Sequence, residues 1–416
     1  MEAHHIPPPD ELADITYRWE RFRSILVGII EVIWQPGASV ALLIAIRYFN
    51  ADDFSKGIVS ASNFLGFLIA PLSLSLFAKI GKPITWNMAM LYGLTGGLLL
   101  AAAFSSALPV YVLLMAVAHI VMMQHLPMNT EMYGTHFTTD KRGHRIGTVF
   151  LIAGSVSMVA GVATGILLDI QLEWFRLLFV IAAAAALGVC GCLSKIPSKP
   201  LDPAKVGNWV QNLGLIKRDR LFAWMLFAWT ILGFGNLMTL PLRIEYMANP
   251  DFGINASNKM ILIITGVVPL FARLMMTRVL GGLFDRCNLI TLRIALNLTF
   301  LVSMLMFFST SHLGVMALGM ALLGGGMAGG KILWTLWVTK LAPPDQTSAY
   351  MSIHMLSTGV RGSVAPFVGY ALIQNLEILE VAFIGSGLTL LSCVLFVPAK
   401  KHMDRRTVEL SGRTGG

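Results

Sequence analysis

The sequence predicts an all-α membrane protein: twelve transmembrane helices arranged as two pseudo-symmetric six-helix bundles. Three observations carry that expectation. Of 416 residues, 56% are hydrophobic and 13% charged, a balance too apolar for a soluble domain of this length. Mostly apolar runs recur from residue 24 almost to the end, and at roughly 20 residues each can cross about 30 Å of hydrocarbon as a helix. One long polar connection, KIPSKPLDPAKVGNWVQNLGLIKRDR, separates the first six runs from the last six. The alternating, weakly apolar segments of a membrane barrel are missing.

In chain order, residues 1–23 read as a cytoplasmic tail, because MEAHHIPPPDELADITYRWERFRS lacks the basic region, short apolar core and cleavage site of a signal peptide. The twelve runs span 24–48, 54–78, 86–104, 108–133, 146–168, 174–196, 221–246, 259–280, 291–308, 313–338, 349–371 and 376–397. They group into an N-terminal bundle over 24–196, a cytoplasmic linker over 197–220 and a C-terminal bundle over 221–397. Residues 398–416 read as a disordered, basic cytoplasmic tail.

The net charge of +9 follows the positive-inside rule. Segments on one side carry Lys79, Lys82, Lys141, Arg142, Arg145, Lys195, Lys199, Lys205, Lys217, Arg218, Arg220, Arg286, Arg293, Lys340, Lys400, Lys401, Arg405 and Arg406. The other side carries little beyond Arg47, Lys56, Arg176, Arg243 and Lys259. That asymmetry places both termini in the cytoplasm, in the inner membrane of what the minimal loops suggest is a bacterium. It also removes any need for a nucleic-acid partner. Cys190, Cys192 and Cys393 lie in apolar runs and Cys287 in a polar turn, so the cysteines suggest no disulfide framework.

A glycine-containing turn follows the second span of each half, IGKP at 80–83 and FDRCN at 284–288. Matching the turns offsets the halves by about 207 residues, as a parallel repeat of six-helix units would. The stretch GGLFDRCN, residues 281–288, resembles the loop signature of the major facilitator superfamily, G-x-L-x-D-R-x-G-R. Gly281, Leu283, Asp285 and Arg286 match, and Asn288 stands where the last glycine is expected. The first-half copy, LSLFAKIGK at 74–82, keeps Lys79, Gly81 and Lys82 but has Ala78 in place of the acid. The resemblance implies alternating access, with helices 1, 4, 7 and 10 lining a central cavity and helices 2, 5, 8 and 11 flanking it. It also implies a gating role for Gly281, Asp285 and Arg286, to which Arg273 of helix 8 is added as a neighbouring intramembrane cation.

Charges at bilayer depth are expensive and pair with one another, line a cavity or meet a ligand. Lys331 follows GGGMAGG in helix 10, with Trp334 and Thr335 on the same face; the plain alternative is a lysine that snorkels to the interface. In helix 11, His354, Ser357, Thr358 and Arg361 recur at helical spacing. Helix 1 brings Glu31 with Trp34 and Gln35, beside Pro36. A lone carboxylate in a low-dielectric site favours its neutral form unless a cation pairs with it, so Glu31 is the proton-coupling candidate. His119 and His125 of helix 4 are rival proton carriers, and Gln124 and Asn236 are further candidate ligand residues.

Lys331, Arg361 and Arg273 against Glu31 leave excess positive charge at depth, which favours an anionic cargo. The leading expectation is therefore a proton-coupled secondary transporter of a small organic anion, a carboxylate first. The alternatives are a proton-antiport exporter of amphipathic compounds or lipids, with Glu31 as the cation site, and a transporter-like receptor or sensor. No phosphate-cradling loop, metal-ligand cluster or nucleophile motif points to an enzyme, a cofactor or a metal. A monomer suffices, because two six-helix halves already enclose a pathway.

Overall fold

A computed structural model describes residues 6–35, 39–203, 209–343 and 346–413, with the side chains at 139, 209–210, 284–285, 331–332, 335–336 and 404–413 excepted. The described chain is helical. In order, the helices are α1 (Pro9–Trp34), α2 (Val40–Arg47), α3 (Asp53–Ile80), α4 (Ile84–Ala103), α5 (Leu108–Met123), α6 (His125–His136), α7 (Thr139–Ile170) and α8 (Phe175–Leu193). Two short helices, α9 (Trp209–Asn212) and α10 (Gly214–Arg218), precede α11 (Arg220–Thr239) and α12 (Leu242–Ala248). Then come α13 (Asn258–Leu262), a π-turn (Ile263–Val267), α14 (Val268–Arg286), α15 (Leu289–Phe308), α16 (Leu313–Leu336), α17 (Thr347–Ile373) and α18 (Ile378–Arg413).

Each predicted span coincides with one of these helices or with two in tandem. Ten of the twelve are long and apolar enough to cross a membrane by length and composition among the described residues. The other two are the first pass, interrupted between α1 and α2, and α17, which carries His354 and Arg361. The interruptions have local causes. Ser39 caps α2 by accepting from the Leu42 N–H at 3.3 Å and donating its hydroxyl to the Ile33 carbonyl at 2.7 Å, which satisfies backbone groups that a broken helix exposes.

The chain forms two compact units: Met1–Val206 with Ala256–Gly266, and Gly207–Asn255 with Val267–Gly416. In the first, the closely packed pairs include α1 with α7, α1 with α8, α3 with α5, α4 with α5 and α4 with α8. In the second they are α11 with α17, α11 with α18, α14 with α16, α15 with α16 and α15 with α18. Those are the same pairings shifted by six passes, as a repeat requires. Glycines permit the closest approaches. A Cβ on Gly28 would come 2.5 Å from the Ala153 carbonyl oxygen, and one on Gly96 would come 3.2 Å from that of Ala183.

The structure differs from the sequence reading at four places. Residues 9–23 are not a tail: they are the first turns of α1, and Thr16, Glu20 and Arg23 are buried. Their charges sit one turn apart and neutralise each other, so burial is feasible where a hydropathy window sees only polarity. The linker over 197–220 is shared between the units: Ile84 N–H donates to the Lys199 carbonyl at 3.1 Å and Thr85 N–H to Ser198 Oγ at 3.0 Å, while α9 and α10 fall in the second unit. Residues 398–413 continue α18.

The fourth difference is the segment 256–266, which belongs to the first unit although the sequence assigns it to the second. The Asp169 carboxylate, at the end of α7, caps α13 by accepting from the Asn258 and Lys259 N–H groups at 2.6 and 3.1 Å. Arg47 donates to Asn258 Oδ1 at 2.6 Å and to the Ala256 carbonyl at 2.5 Å. A helix N-terminus attracts the carboxylate, and Gly165 lets the two backbones meet, since a Cβ there would lie 2.5 Å from Lys259 Cα.

Replacing Gly28 by Val should lower thermal stability by about 1–3 kcal/mol through overpacking against α7. Gly97→Ala, where a Cβ meets nothing within 4 Å, should leave the melting temperature of the detergent-solubilised protein unchanged. Equal effects of the two substitutions would contradict the packing described.

Candidate functional site

Each unit buries a polar cluster, and the two clusters balance their charge differently. In the first unit, Arg23 grips Glu20 with both ends of its guanidinium: Nε to Oε1 at 2.7 Å and Nη2 to Oε2 at 2.7 Å. Tyr133 donates its hydroxyl to Glu20 Oε2 at 2.5 Å. Arg23 also donates to Asn129 Oδ1 at 3.0 Å and to the hydroxyls of Tyr133 and Tyr92 at 3.2 and 3.3 Å. One turn earlier, Thr16 bonds His136 Nδ1 at 2.9 Å. The network ties α1 to α4 and α6, and its one cation meets its one carboxylate in bidentate geometry.

The second unit is built around Trp229 of α11. The Arg293 guanidinium, from α15, lies over the Trp229 ring at 4.4 Å and near that of Phe300 at 5.6 Å. Its Nε donates to Asn297 Oδ1 at 2.6 Å, one turn further along α15. Arg361 of α17 donates Nη1 to the Trp229 carbonyl and Nη2 to Thr358 Oγ1 at 3.1 Å. His354, also on α17, sits edge-on to Trp229 and Trp337 at 5.4 and 5.2 Å and 4.9 Å from the Trp334 ring. Trp229 and Trp337 stack at 5.9 Å, and both belong to the apolar core of the unit together with Phe222, Tyr350 and Phe396.

Among the described residues, neither Arg293 nor Arg361 forms an ion pair. Cation–π contacts of about 0.5–2 kcal/mol hold such groups without neutralising them. Arg243 of α12 repeats the theme: it is 1% exposed, rests against Phe307 and Phe308, and its Nε and Nη2 make no hydrogen bond. The glycines nearby make room for the guanidiniums. A Cβ on Gly233 would overlap Arg361, and one on Gly330 would lie 3.3 Å from Phe300 and 4.0 Å from Arg293 Nη1.

Of the residues singled out by sequence, Arg361 and Trp334 fall in this second cluster, and Arg361 is buried. Several others are joints between helices. Gln124 spends its amide on the Gly66 and Ile120 carbonyls at 3.0 and 2.7 Å and accepts from Ser73 at 2.6 Å. His119 bonds Ser62 at 2.6 Å and meets the edge of Trp34 at 6.0 Å, while Trp34 accepts from Asn63 at 3.1 Å. His125 Nδ1 is 2.5 Å from the Met122 carbonyl, and its ring lies 5.3 Å from Tyr92.

Glu31 and Gln35 are half-buried at the end of α1, where the Gln35 N–H closes the last turn on the Glu31 carbonyl at 3.0 Å. Asn236 is half-buried and donates to Leu232 O at 3.1 Å. Arg273 and Gly281 are half-buried and Arg286 is exposed. Pro36 and the side chains of Lys331, Thr335 and Asp285 lie outside the described residues.

Arg293, Arg23 and Glu20 are functional candidates that the sequence reading placed in loops or a tail. A signal for each was present: Arg293 precedes Asn297 by one helical turn inside an apolar run, and Glu20 precedes Arg23 by three residues in an aromatic-rich stretch. Buried partners at those spacings share a helix face.

Residues 249–413 match the family model described as Major Facilitator Superfamily. No curated protein matches the chain by sequence. Among solved structures, the nucleoside transporter NupG aligns with a TM-score of 0.71 at 15% identity, covering 92% of this chain and 98% of that one. A bacterial homologue of the human lysosomal transporter Spinster, inward-facing and unoccupied, gives 0.62 at 13%, covering 98% of each. A D-xylose–proton symporter gives 0.67 at 12%, covering 92% and 96%. At these identities the likeness carries the fold.

Breaking the first cluster on one side should be costly. Arg23→Gln leaves Glu20 buried without its cation and should destabilise by about 3–5 kcal/mol, with much of the loss restored by adding Glu20→Gln. Thermal melting of the single and double variants checks this; a double variant no more stable than the single would contradict a charge-pair role.

Proposed function

We propose that this chain is a secondary active transporter of the major facilitator superfamily, carrying a small organic anion by alternating access and coupled to protons. The observation that carries the reading is the pair of guanidiniums around Trp229. Arg293 and Arg361 are nine-tenths or more buried and, among the described residues, have no carboxylate partner, whereas the buried Arg23 of the first unit has one. An uncompensated buried charge costs several kcal/mol, on the order of 3–5 when a partner is removed, and an anionic cargo supplies the missing partner each time it binds.

Neutralisation also links binding to movement. A monoanion and a proton bound together leave the net charge unchanged but neutralise a guanidinium and a carboxylate where each sits, so fewer bare charges face the low-dielectric interior and reorientation is favoured. Glu31, half-buried near the end of α1, is the proton-coupling candidate. Cytoplasmic termini, an inner-membrane location and a monomeric carrier are part of the same proposal. Nucleosides and xylose, the cargo named for two of the fold neighbours, are neutral and would leave the arginines uncompensated.

Proteoliposomes holding the purified protein should take up a radiolabelled carboxylate faster when a proton gradient is imposed. Arg361→Gln should reduce that uptake about tenfold or more while the protein keeps its helical content. Uptake of a neutral sugar or nucleoside with carboxylates excluded would contradict the anion reading.

A further inference from the structure

The neighbourhood of Trp229 has a second peculiarity besides its charge. Trp229 Nε1, Trp337 Nε1 and Arg361 Nε are buried and make no hydrogen bond, and neither do the two ring nitrogens of His354. The first three can only donate; a neutral His354 adds one donor and one acceptor. Each belongs to Trp229 or to a residue that touches it: His354 and Trp337 through their rings, and Arg361 through the Trp229 carbonyl. Buried polar atoms are ordinarily satisfied, and each orphan costs about 1–3 kcal/mol. A cluster of orphans that are nearly all donors, beside two unpaired guanidiniums, is a site lacking one kind of partner.

We infer that the four-helix corner formed by Trp229 (α11), Arg293 and Asn297 (α15), Trp337 (after α16) and His354 with Arg361 (α17) binds a compact monoanion, a species with lone pairs and no protons to donate. The inference rests on the anion reading above and deepens it by naming where the charge is held. Water could satisfy the N–H groups but not the charge. A sugar or nucleoside would accept some of these N–H bonds but bring no charge to meet the guanidiniums. A carboxylate or a halide meets both requirements: it accepts several N–H bonds at once and cancels one of the two positive charges.

The walls suit a small anionic group, because the indole faces are taken by Phe222, by Arg293 and by each other while their N–H edges have no partner. Two sources supply such a group: the carboxylate of the cargo, or a resident inorganic anion such as chloride. The glycine facing Arg361 makes the geometry testable without touching a donor. A Cβ at Gly233 would displace the guanidinium, so Gly233 is a positioning residue for the site.

The test is a set of thermal-shift titrations of the purified full chain with sodium acetate, sodium benzoate and sodium chloride, each replacing sodium sulfate at constant ionic strength. Uptake into proteoliposomes is measured in parallel. Saturable stabilisation by a carboxylate, opposed by chloride, is expected. Its apparent affinity should fall about tenfold or more in Trp337→Phe, which keeps the ring and removes one N–H donor to a charged group. Arg361→Gln should abolish it, and Arg361→Lys should recover part.

Saturation by chloride alone, equally weakened in Trp337→Phe, supports the site with an inorganic occupant and removes its support for carboxylate transport. Carboxylate uptake whose affinity is untouched in Trp337→Phe, Gly233→Ala and Arg361→Gln overturns the site and leaves the transport reading standing. An absence of any anion-dependent shift in the native chain overturns the site.

Discussion

A guanidinium held away from water needs a negative partner, and how each half of this protein meets that need organises the rest of its structure. In the first unit the partner is internal. Glu20 lies one turn from Arg23 on α1, and the pair is fenced by Tyr92, Tyr133 and Asn129. In the second unit Arg293 and Arg361 are buried among tryptophans with no carboxylate against either among the described residues. The first arrangement is closed and suited to holding α1 against α4 and α6. The second would gain most from an anion that arrives from outside, which is the basis of the proposed function.

The two units share a scaffold and differ in chemistry. The same five helix pairings recur in both, so packing alone does not separate a joint from a binding site. What separates them is the chemistry at equivalent depth. Polar side chains of the first unit face polar side chains or carbonyls, as Gln124 does with Gly66, Ile120 and Ser73. The second unit surrounds its charges with indole and phenyl rings, whose faces attract a cation but neutralise nothing. Glycines at 233, 326 and 330 leave the volume those bulky groups occupy. Bulk and charge in one unit thus depend on small residues in the adjoining helices.

Most of the fold was legible because hydropathy reports burial in lipid directly, and the passes coincide with the apolar runs. The errors fall where charge and burial coexist. Glu20 and Arg23 read as a soluble tail because a hydropathy window counts two charges and cannot see that they cancel. Arg293 read as one of the basic residues of the inner side because it lies in the second turn of α15, where basic residues usually meet water. The segment 256–266 joins the first unit through Asp169 and Arg47, a long-range cap with no local signature.

Within the candidate site, Arg361 was found by depth and Trp334 by spacing. Gln124, His119 and His125 were equally polar and equally deep, yet they serve as bonds between or within helices. Polarity inside a membrane marks a residue with a partner; whether that partner is another helix or a ligand depends on contacts that sequence does not encode. Trp229 and Trp337 were legible as aromatics but not as a stacked pair, since they come from α11 and from the residue after α16.

The most direct test of the central claim is an experimental structure of the full chain in bromide or with para-iodobenzoate, using the anomalous signal of the heavy atom to locate the anion. With bromide a peak is expected within hydrogen-bonding reach of Arg361 and of the indole N–H of Trp229 or Trp337, and with iodobenzoate a carboxylate at that same place. A side-chain carboxylate of the protein itself seated against Arg293 and Arg361, with no anion there, would contradict it, because the second unit would then balance its own charge as the first one does.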